Sequence, residues 1–353
     1  MFRYKYRGII AVSAFLVFVV AFYWSASFFI FLYSPASHDK QELILEIPDG
    51  ASFRAATKLL NENNLLKDEK KFIILGKLRR AGTKIHAGEL LFKKDMTPLQ
   101  LLDTLMYGKP VLYTFVVPEG YNMYQIADIL ESKKIIKRAK DFVKAAKDRT
   151  LLIELGIRGD SAEGYLFPDT YSVQRVKDTK DLARVMNKRF KEVFTKEMVD
   201  RAYNFRMSGH ELITMASIIE KETGAPEERK LISSVFYNRI KKGMPLQSDP
   251  TTIYGMWEKY KGALNKDDLK QYTPYNTYKI HGLPPGPICN PGKDAIMAAL
   301  YPENTNYLYF VSKNDGTHIF SESYKDHQNA VNRFQKRAEE RDGKSWRDLK
   351  KKS

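Results

Sequence analysis

At 353 residues the chain is long enough for two or three domains, and a hydrophobic share of 43% excludes a disordered polymer. A single cysteine, Cys289, excludes an intrachain disulfide, and six histidines leave little material for a structural zinc site. The formal net charge of +16 demands an anionic neighbour: nucleic acid, an anionic membrane surface or an acidic polymer.

The first element chooses among these. From Ile9 to Leu32 the chain is apolar, interrupted only by Ser13, Ser25 and Ser27 and by no charge. As a helix this run spans roughly 36 Å, enough to cross a hydrocarbon core with some tilt. Arg3, Lys5 and Arg7 precede it and hold the N-terminus in the cytoplasm, while Tyr23, Trp24 and Tyr33 supply aromatic rings toward the far end. Ser25-Ala26-Ser27 offers a signal-peptide cleavage site, but the apolar run continues through Phe28-Phe29-Ile30-Phe31. The expectation is an uncleaved single-pass anchor over residues 9–33, a cytoplasmic start over 1–8 and everything later outside the cytoplasm. That placement excludes nucleic acid as a partner.

Residues 34–42 read as a polar linker. An internal echo follows: Ile47-Pro48-Asp49-Gly50-Ala51-Ser52-Phe53 returns seventy positions on as Val117-Pro118-Glu119-Gly120-Tyr121-Asn122-Met123. Each copy predicts a short strand, a Pro-acid-Gly turn, an N-capping Ser or Asn, and an amphipathic helix. Between them, residues 85–92 read as a turn into a strand, and Thr97-Pro98 caps a helix over 99–107 that Gly108 ends. The resulting β-α-α-β-α order over 43–110 resembles the LysM-like module, which binds glycan chains.

From 111 to 334 no linker interrupts the chain, and it reads as one larger domain. Helices are predicted over 123–132, 139–147, 181–190, 196–204, 210–223, 227–242, 293–300 and 326–341, and strands over 113–117, 166–172 and 307–312. The stretch between Gly243 and Gly292, rich in Pro, Gly, Tyr and Asn, predicts a long functional loop. Residues 335–353 form a basic tail. The fold class is α+β: a transmembrane helix, a small β/α module and a larger mixed domain.

Several site types are absent. His210-Glu211-Leu212-Ile213-Thr214 begins like a zinc-protease helix but lacks the second histidine. Neither a Gly-x-Ser-x-Gly elbow nor a phosphate-binding glycine loop occurs. His281, His318 and His327 could gather only through the fold. The strongest local feature is Ala216-Ser217-Ile218-Ile219-Glu220-Lys221-Glu222-Thr223, closing a helix before Gly224 and Pro226. At 100° per residue, Leu212, Met215, Ala216 and Ile219 share the buried arc, with Glu220 on one flank and Glu222 on the other. A carboxyl among apolar side chains at a helix C-terminus favours its protonated form, which is what protonating a leaving oxygen requires. Helical geometry leaves Glu220 and Glu222 level.

Together these blocks resemble the endolytic murein transglycosylase (YceG-like) family. The resemblance rests on Glu163-Gly164-Tyr165-Leu166-Phe167-Pro168-Asp169-Thr170-Tyr171, on the Glu220 block, on Val235-Phe236-Tyr237-Asn238-Arg239 and on Leu246-Gln247-Ser248-Asp249-Pro250-Thr251. It continues in Tyr275-Asn276-Thr277-Tyr278, Gly282-Leu283-Pro284-Pro285-Gly286-Pro287-Ile288 and Asp315-Gly316-Thr317-His318-Ile319-Phe320-Ser321. What the resemblance implies is lytic cleavage of internal bonds between N-acetylmuramic acid and N-acetylglucosamine, leaving 1,6-anhydro ends, with Glu220 as acid and base and no cofactor or metal. It also implies a catalytic domain on the outer side of the inner, cytoplasmic membrane, acting on nascent glycan strands beside the peptidoglycan synthases. Gln247, Ser248, Tyr275, Asn276 and Tyr278 are the candidate sugar-binding residues, and Asp169, Asn238 and Asp315 are expected to bond backbone in turns. The alternatives are a hydrolase on the same fold, with Asp249 or Glu163 as second carboxylate, and a non-catalytic glycan-binding scaffold.

Overall fold

The computed structural model describes residues 2–175 and 178–336, so the basic tail from 337 onward lies outside the described residues. The chain divides into two compact units: Met1–Tyr113 with Ser172–Arg175, and Thr114–Tyr171 with Val176–Ser353.

The first unit opens with α1 (Phe2–Tyr33), long and apolar enough from Ala11 to Tyr33 to cross a membrane. Its middle exposes Phe15, Val17, Phe18 and Phe22. Its last turns instead turn inward: Phe28, Phe31 and Leu32 pack on the core of the module that follows, and Lys71 Nζ donates to Ser27 Oγ at 2.8 Å. In the module, β1 (Glu42–Ile47) leads to α2 (Phe53–Glu62), α3 (Glu69–Leu78) and a 3-10 turn at Ala81–Thr83. Then come β2 (Gly88–Lys93) and α4 (Pro98–Tyr107). β1 and β2 pair antiparallel from Glu42↔Lys93 to Ile47↔Gly88. That register places Leu43, Leu45 and Ile47 on one face with Leu90 and Phe92, against the helices. Thr97 and Gln100 form a capping box on α4, with Pro98 at its first position.

β3 (Tyr113–Val116) pairs with β4 (Thr170–Val173) in a second two-stranded sheet. The strand predicted over 166–172 is therefore shorter and later, because the N–H groups of Leu166 and Phe167 go instead to Asn290 Oδ1 and the Met186 carbonyl. In the second unit, α5 (Met123–Ser132), α6 (Ala139–Ala146) and α7 (Arg149–Leu155) precede β4. After it come α8 (Thr179–Val193), α9 (Lys196–Tyr203), α10 (Gly209–Glu222) and α11 (Arg229–Lys241). The predicted loop from 243 to 292 is partly folded: it holds α12 (Asp249–Gly255) and 3-10 turns at Trp257–Lys259 and Asp268–Lys270. α13 (Lys293–Leu300), the antiparallel hairpin β5 (Tyr309–Ser312) and β6 (His318–Ser321), and α14 (Tyr324–Val331) follow, with a wide turn over Asn332–Lys336. α10 is the hub. Every residue from Leu212 to Ile219 is buried, against α13, α11, α9 and α12.

The seventy-residue echo is a structural repeat. Gly50 and Gly120 both hold left-handed φ, +72° and +74°. Ser52 and Asn122 cap α2 and α5, and Asn64 and Lys134 leave those helices through the same left-handed turn, φ 58° and 57°. Leu60, Leu65 and Phe72 are matched by Leu130, Ile135 and Phe142, all buried.

Candidate active site

α10 starts on a Ser208–Glu211 capping box and stops at Thr223, which is extended. A wholly buried run of eight residues fixes its rotation, so Glu220 and Glu222 leave its last turn into different surroundings.

Glu220 is held between two loops. Its side chain is 8% exposed, and Oε2 accepts a hydrogen bond from the Gly292 backbone N–H at 3.0 Å. On the other side lies Gly120: a Cβ added there would come within 3.4 Å of Glu220 Cγ. Lys221 turns away and gives its ammonium to the Gly120 carbonyl at 3.2 Å. Arg229 Nη2 stands 3.9 Å from Glu220 Oε1, and Arg229 Nη1 lies 3.6 Å from Asp294, whose side chain is 76% exposed. Burial pushes the Glu220 pKa up, the Gly292 N–H draws it back, the Glu119 charge raises it, and Arg229 and Lys221 lower it. Glu119 is exposed, and its carboxyl lies over Gly292 where a Cβ would point, so a side chain there would have to displace it. Beside this pair opens a cavity of about 510 Å³ lined by Glu119, Phe167, Arg189 and Lys293 among others.

Glu222 faces the other way. The Ser248 hydroxyl donates to its Oε1, and burial pushes its pKa up to about 7, with Ser248 opposing and the Asp249 charge assisting. Both glutamates therefore favour the protonated form more than a solvated carboxyl would. What separates them is the company: two loops and an exposed acidic rim for Glu220, a hydroxyl-lined seat for Glu222.

The loops around Glu220 are themselves stitched together by Glu163 and Asn290. The Glu163 carboxylate accepts from Met123 N at 3.0 and 3.1 Å, from Tyr254 Oη at 3.1 Å and from Asn290 Nδ2 at 2.9 Å. Asn290 accepts from Gly120 N on its backbone carbonyl and from Leu166 N on its side-chain oxygen, both at 2.9 Å. Burial raises the Glu163 pKa to about 8 despite these donors.

Residues 45–333 match the model of the YceG-like family. The chain belongs to that family. It is 33% identical over 323 residues to the endolytic murein transglycosylase of Bacillus subtilis (strain 168), covering 86% of this chain and 88% of that protein. A protein of the same name from Streptococcus pneumoniae serotype 2 is 30% identical over 329 residues, which cover 84% of this chain and 59% of the pneumococcal one. The crystal structure of a yceG-like protein from Listeria monocytogenes superposes with a TM-score of 0.57 at 32% identity, covering 82% of this chain and 99% of that one.

In this YceG-like chain the five candidate sugar binders do not form one cluster: Ser248 and Tyr278 stand by Glu222, whereas Tyr275 stands with Tyr254, which bonds Glu163. Ser248 bonds Glu222, and Tyr278 Oη donates to Asp249 at 2.8 Å. Asn276 is enclosed, its amide donating to the Leu269 and Gln271 carbonyls and its oxygen accepting from Thr252 and the Tyr278 N–H. Tyr275 packs its ring on Tyr254 at 4.9 Å. Gln247 is exposed and holds a left-handed φ of 52°. Asp169 and Asp315 accept from backbone N–H groups in their own turns, whereas Asn238 lies within α11, not in a turn, and donates to the distant Thr305 and Tyr307 carbonyls. The three histidines take separate partners: His281 the Gly243 carbonyl, His318 the Glu228 carboxylate, His327 the Tyr309 ring. Leu283-Pro284-Pro285 lines another cavity, of about 1110 Å³, near His210 at the opposite end of α10. That end lies roughly 15 Å from Glu220 along the helix.

Sequence reasoning missed Glu119, Arg229 and Gly292. Glu119 was in view as the acid of the repeated Pro-acid-Gly turn, and only the second copy of that turn meets α10.

Proposed function

We propose that this chain is a lytic transglycosylase of peptidoglycan, with Glu220 as its acid and base. The observation that carries the reading is a nearly buried carboxyl with a raised pKa, one backbone N–H and an open acidic rim, in a relative of endolytic murein transglycosylases. Glu220 gives its proton to the bridging oxygen, and the bond from that oxygen to the muramic C1 breaks. The Gly292 N–H then holds the carboxylate so formed. The muramic 6-hydroxyl oxygen bonds to C1, its proton returns to Glu220, and a 1,6-anhydro end results without consumption of water. The substrate's 2-acetamido oxygen supports the oxocarbenium-like centre, so no second protein carboxylate is required.

α1 serves as a single-pass anchor in the cytoplasmic membrane, with both units outside the cytoplasm. The first unit is read as a LysM-like glycan-binding module, and peptidoglycan synthases as neighbours. One observation favours a second reading: exposed Glu119 stands beside Glu220 and could activate water, giving a hydrolase. Asp249 sits with Tyr278 and Glu163 with four donor contacts, so neither is the natural partner of Glu220.

Mass spectrometry of digested glycan strands tests the proposal. Anhydro ends support it, reducing ends support the hydrolase, and unchanged strands leave only a scaffold. Glu220→Gln should abolish cleavage, by at least about a hundredfold, with glycan binding intact. Full activity in that variant would move the assignment to Glu222.

A further inference from the structure

Two arginines lie buried near the end of α10, and they are treated differently. Arg239 spends its guanidinium on backbone: Nε donates to Leu308 O at 2.7 Å, and Nη1 to Leu246 O at 2.7 Å and Pro245 O at 3.4 Å. Arg229 is 11% exposed and has no such acceptors among the described residues. Its distances of 3.9 Å to Glu220 and 3.6 Å to Asp294 exceed hydrogen-bond length, and its buried Nε has no partner. An unmatched buried N–H is costly, and here it belongs to a full charge. The residue is also aimed by its neighbour. Glu228 is clamped by His318, whose N–H donates at 2.8 Å and whose Nδ1 lies at 2.6 Å, so the backbone that carries Arg229 is fixed. The fold thus prepares a planar donor fork beside the acid, ion-paired at a distance with Glu220 and Asp294 but hydrogen-bonded to neither, with its Nε unmatched.

The substrate chemistry supplies an acceptor. In an alternating glycan strand both sugars carry a 2-acetamido group, a 6-hydroxyl and a β-1,4 linkage. They differ at O3, where muramic acid alone bears a lactyl group with a carbonyl or carboxylate. An enzyme that closes the muramic 6-hydroxyl onto C1 must tell the two residues apart at the acid. We propose that Arg229 accepts this role: its guanidinium binds the lactyl oxygens of the muramic residue held at Glu220 and thereby sets which of the two alternating bonds is cut. The inference rests on the glycan-cleaving reading above. A guanidinium matches either source of the acceptor, the free carboxylate of a peptide-free strand or the amide carbonyl of a stem-peptide-bearing one, with the charged form bound more strongly.

The test uses the full-length chain in detergent, carrying Glu220→Gln to prevent turnover. Calorimetry compares oligosaccharides of equal length: N-acetylglucosamine only, alternating with peptide-free muramic acid, and alternating with stem-peptide-bearing muramic acid. The parent is expected to prefer both muramic oligomers, the peptide-free one by about tenfold or more. Adding Arg229→Gln should bring all three to within about twofold, with a little-changed melting temperature, because the guanidinium makes no hydrogen bond among the described residues. Arg229→Lys should keep a preference for the peptide-free oligomer and lose it for the peptide-bearing one. Undiminished preference in both Arg229 variants overturns the inference, as does a lowered melting temperature with preference intact, which marks a structural role. A parent that binds none of the three removes the glycan reading itself, and the Arg229 assignment with it.

Discussion

Around Glu220 the charges oppose one another, and that opposition is measurable. Glu119 raises its pKa, while Arg229 and Lys221 lower it. As general acid Glu220 must be protonated, so the alkaline limb of kcat/KM reports its ionisation. Glu119→Gln removes a repelling charge, lets the proton leave at lower pH and moves that limb down. Lys221→Met moves it up. An unmoved limb in both variants would mean that another group controls the profile. Glu163 provides a test on stability. Its folded pKa, about 8, lies above its ordinary value of 4.5, so the folded state binds the extra proton between those values. Stability from this group is retained below pH 4.5 and declines as pH rises toward 8. Glu163→Gln should therefore shrink the fall in melting temperature between pH 5 and pH 8, at some cost in absolute stability because a hydrogen-bond acceptor for Met123 N and Asn290 is weakened.

The repeated turn lets one substitution be read in two settings. Gly50 and Gly120 share a left-handed φ, which costs a side-chain-bearing residue roughly 1–2 kcal/mol. A Cβ on Gly50 meets nothing within 4 Å, whereas one on Gly120 would lie in van der Waals contact with Glu220 Cγ at 3.4 Å and with the Lys221 side chain. Both Gly→Ala variants should lose about that much stability by denaturant titration, but only Gly120→Ala, whose strained turn lies against the acid, should also lower cleavage. Equal activity in the two would uncouple the turn from the acid. The repeat was legible from sequence because its elements are short-range: a Pro-acid-Gly turn, a cap and helical spacing lie within a dozen residues. α5 and α13 were legible to the residue for the same reason. α7 and α12 escaped, since seven residues give less than two full turns of periodicity and α12 opens with Asp249-Pro250 in a loop-like composition. The environment of Glu220 was illegible for a different cause. Gly120, Arg229 and Gly292 reach it from three separate places in the chain, and no local pattern records such a meeting. Apolar spacing could place both glutamates on the flanks of the buried arc, yet not say what stands opposite each.

At the scale of the whole molecule, α1 does two jobs with one sequence. Its middle exposes apolar side chains all round, while its last turns complete the core of the first unit through Phe28, Phe31 and Leu32. A soluble chain begun at residue 36 should therefore be less stable in its first unit than one begun at residue 27, by about the 3–5 kcal/mol of a lost core Phe. Thermal melts of the two would decide, and matching values would show that the contact contributes nothing. With α1 in a bilayer, the Lys71–Ser27 hydrogen bond marks a depth: an ammonium cannot follow the helix into hydrocarbon, so the water boundary falls no later than that turn. The polar stretch after Tyr33 is then not a leash. A leash would let the first unit sample a range of heights and headings, whereas a stalk that ends inside its own cargo sets one of each. Any strand that the first unit grips would run at a fixed level above the lipid, and tilting the stalk would turn the grip with it.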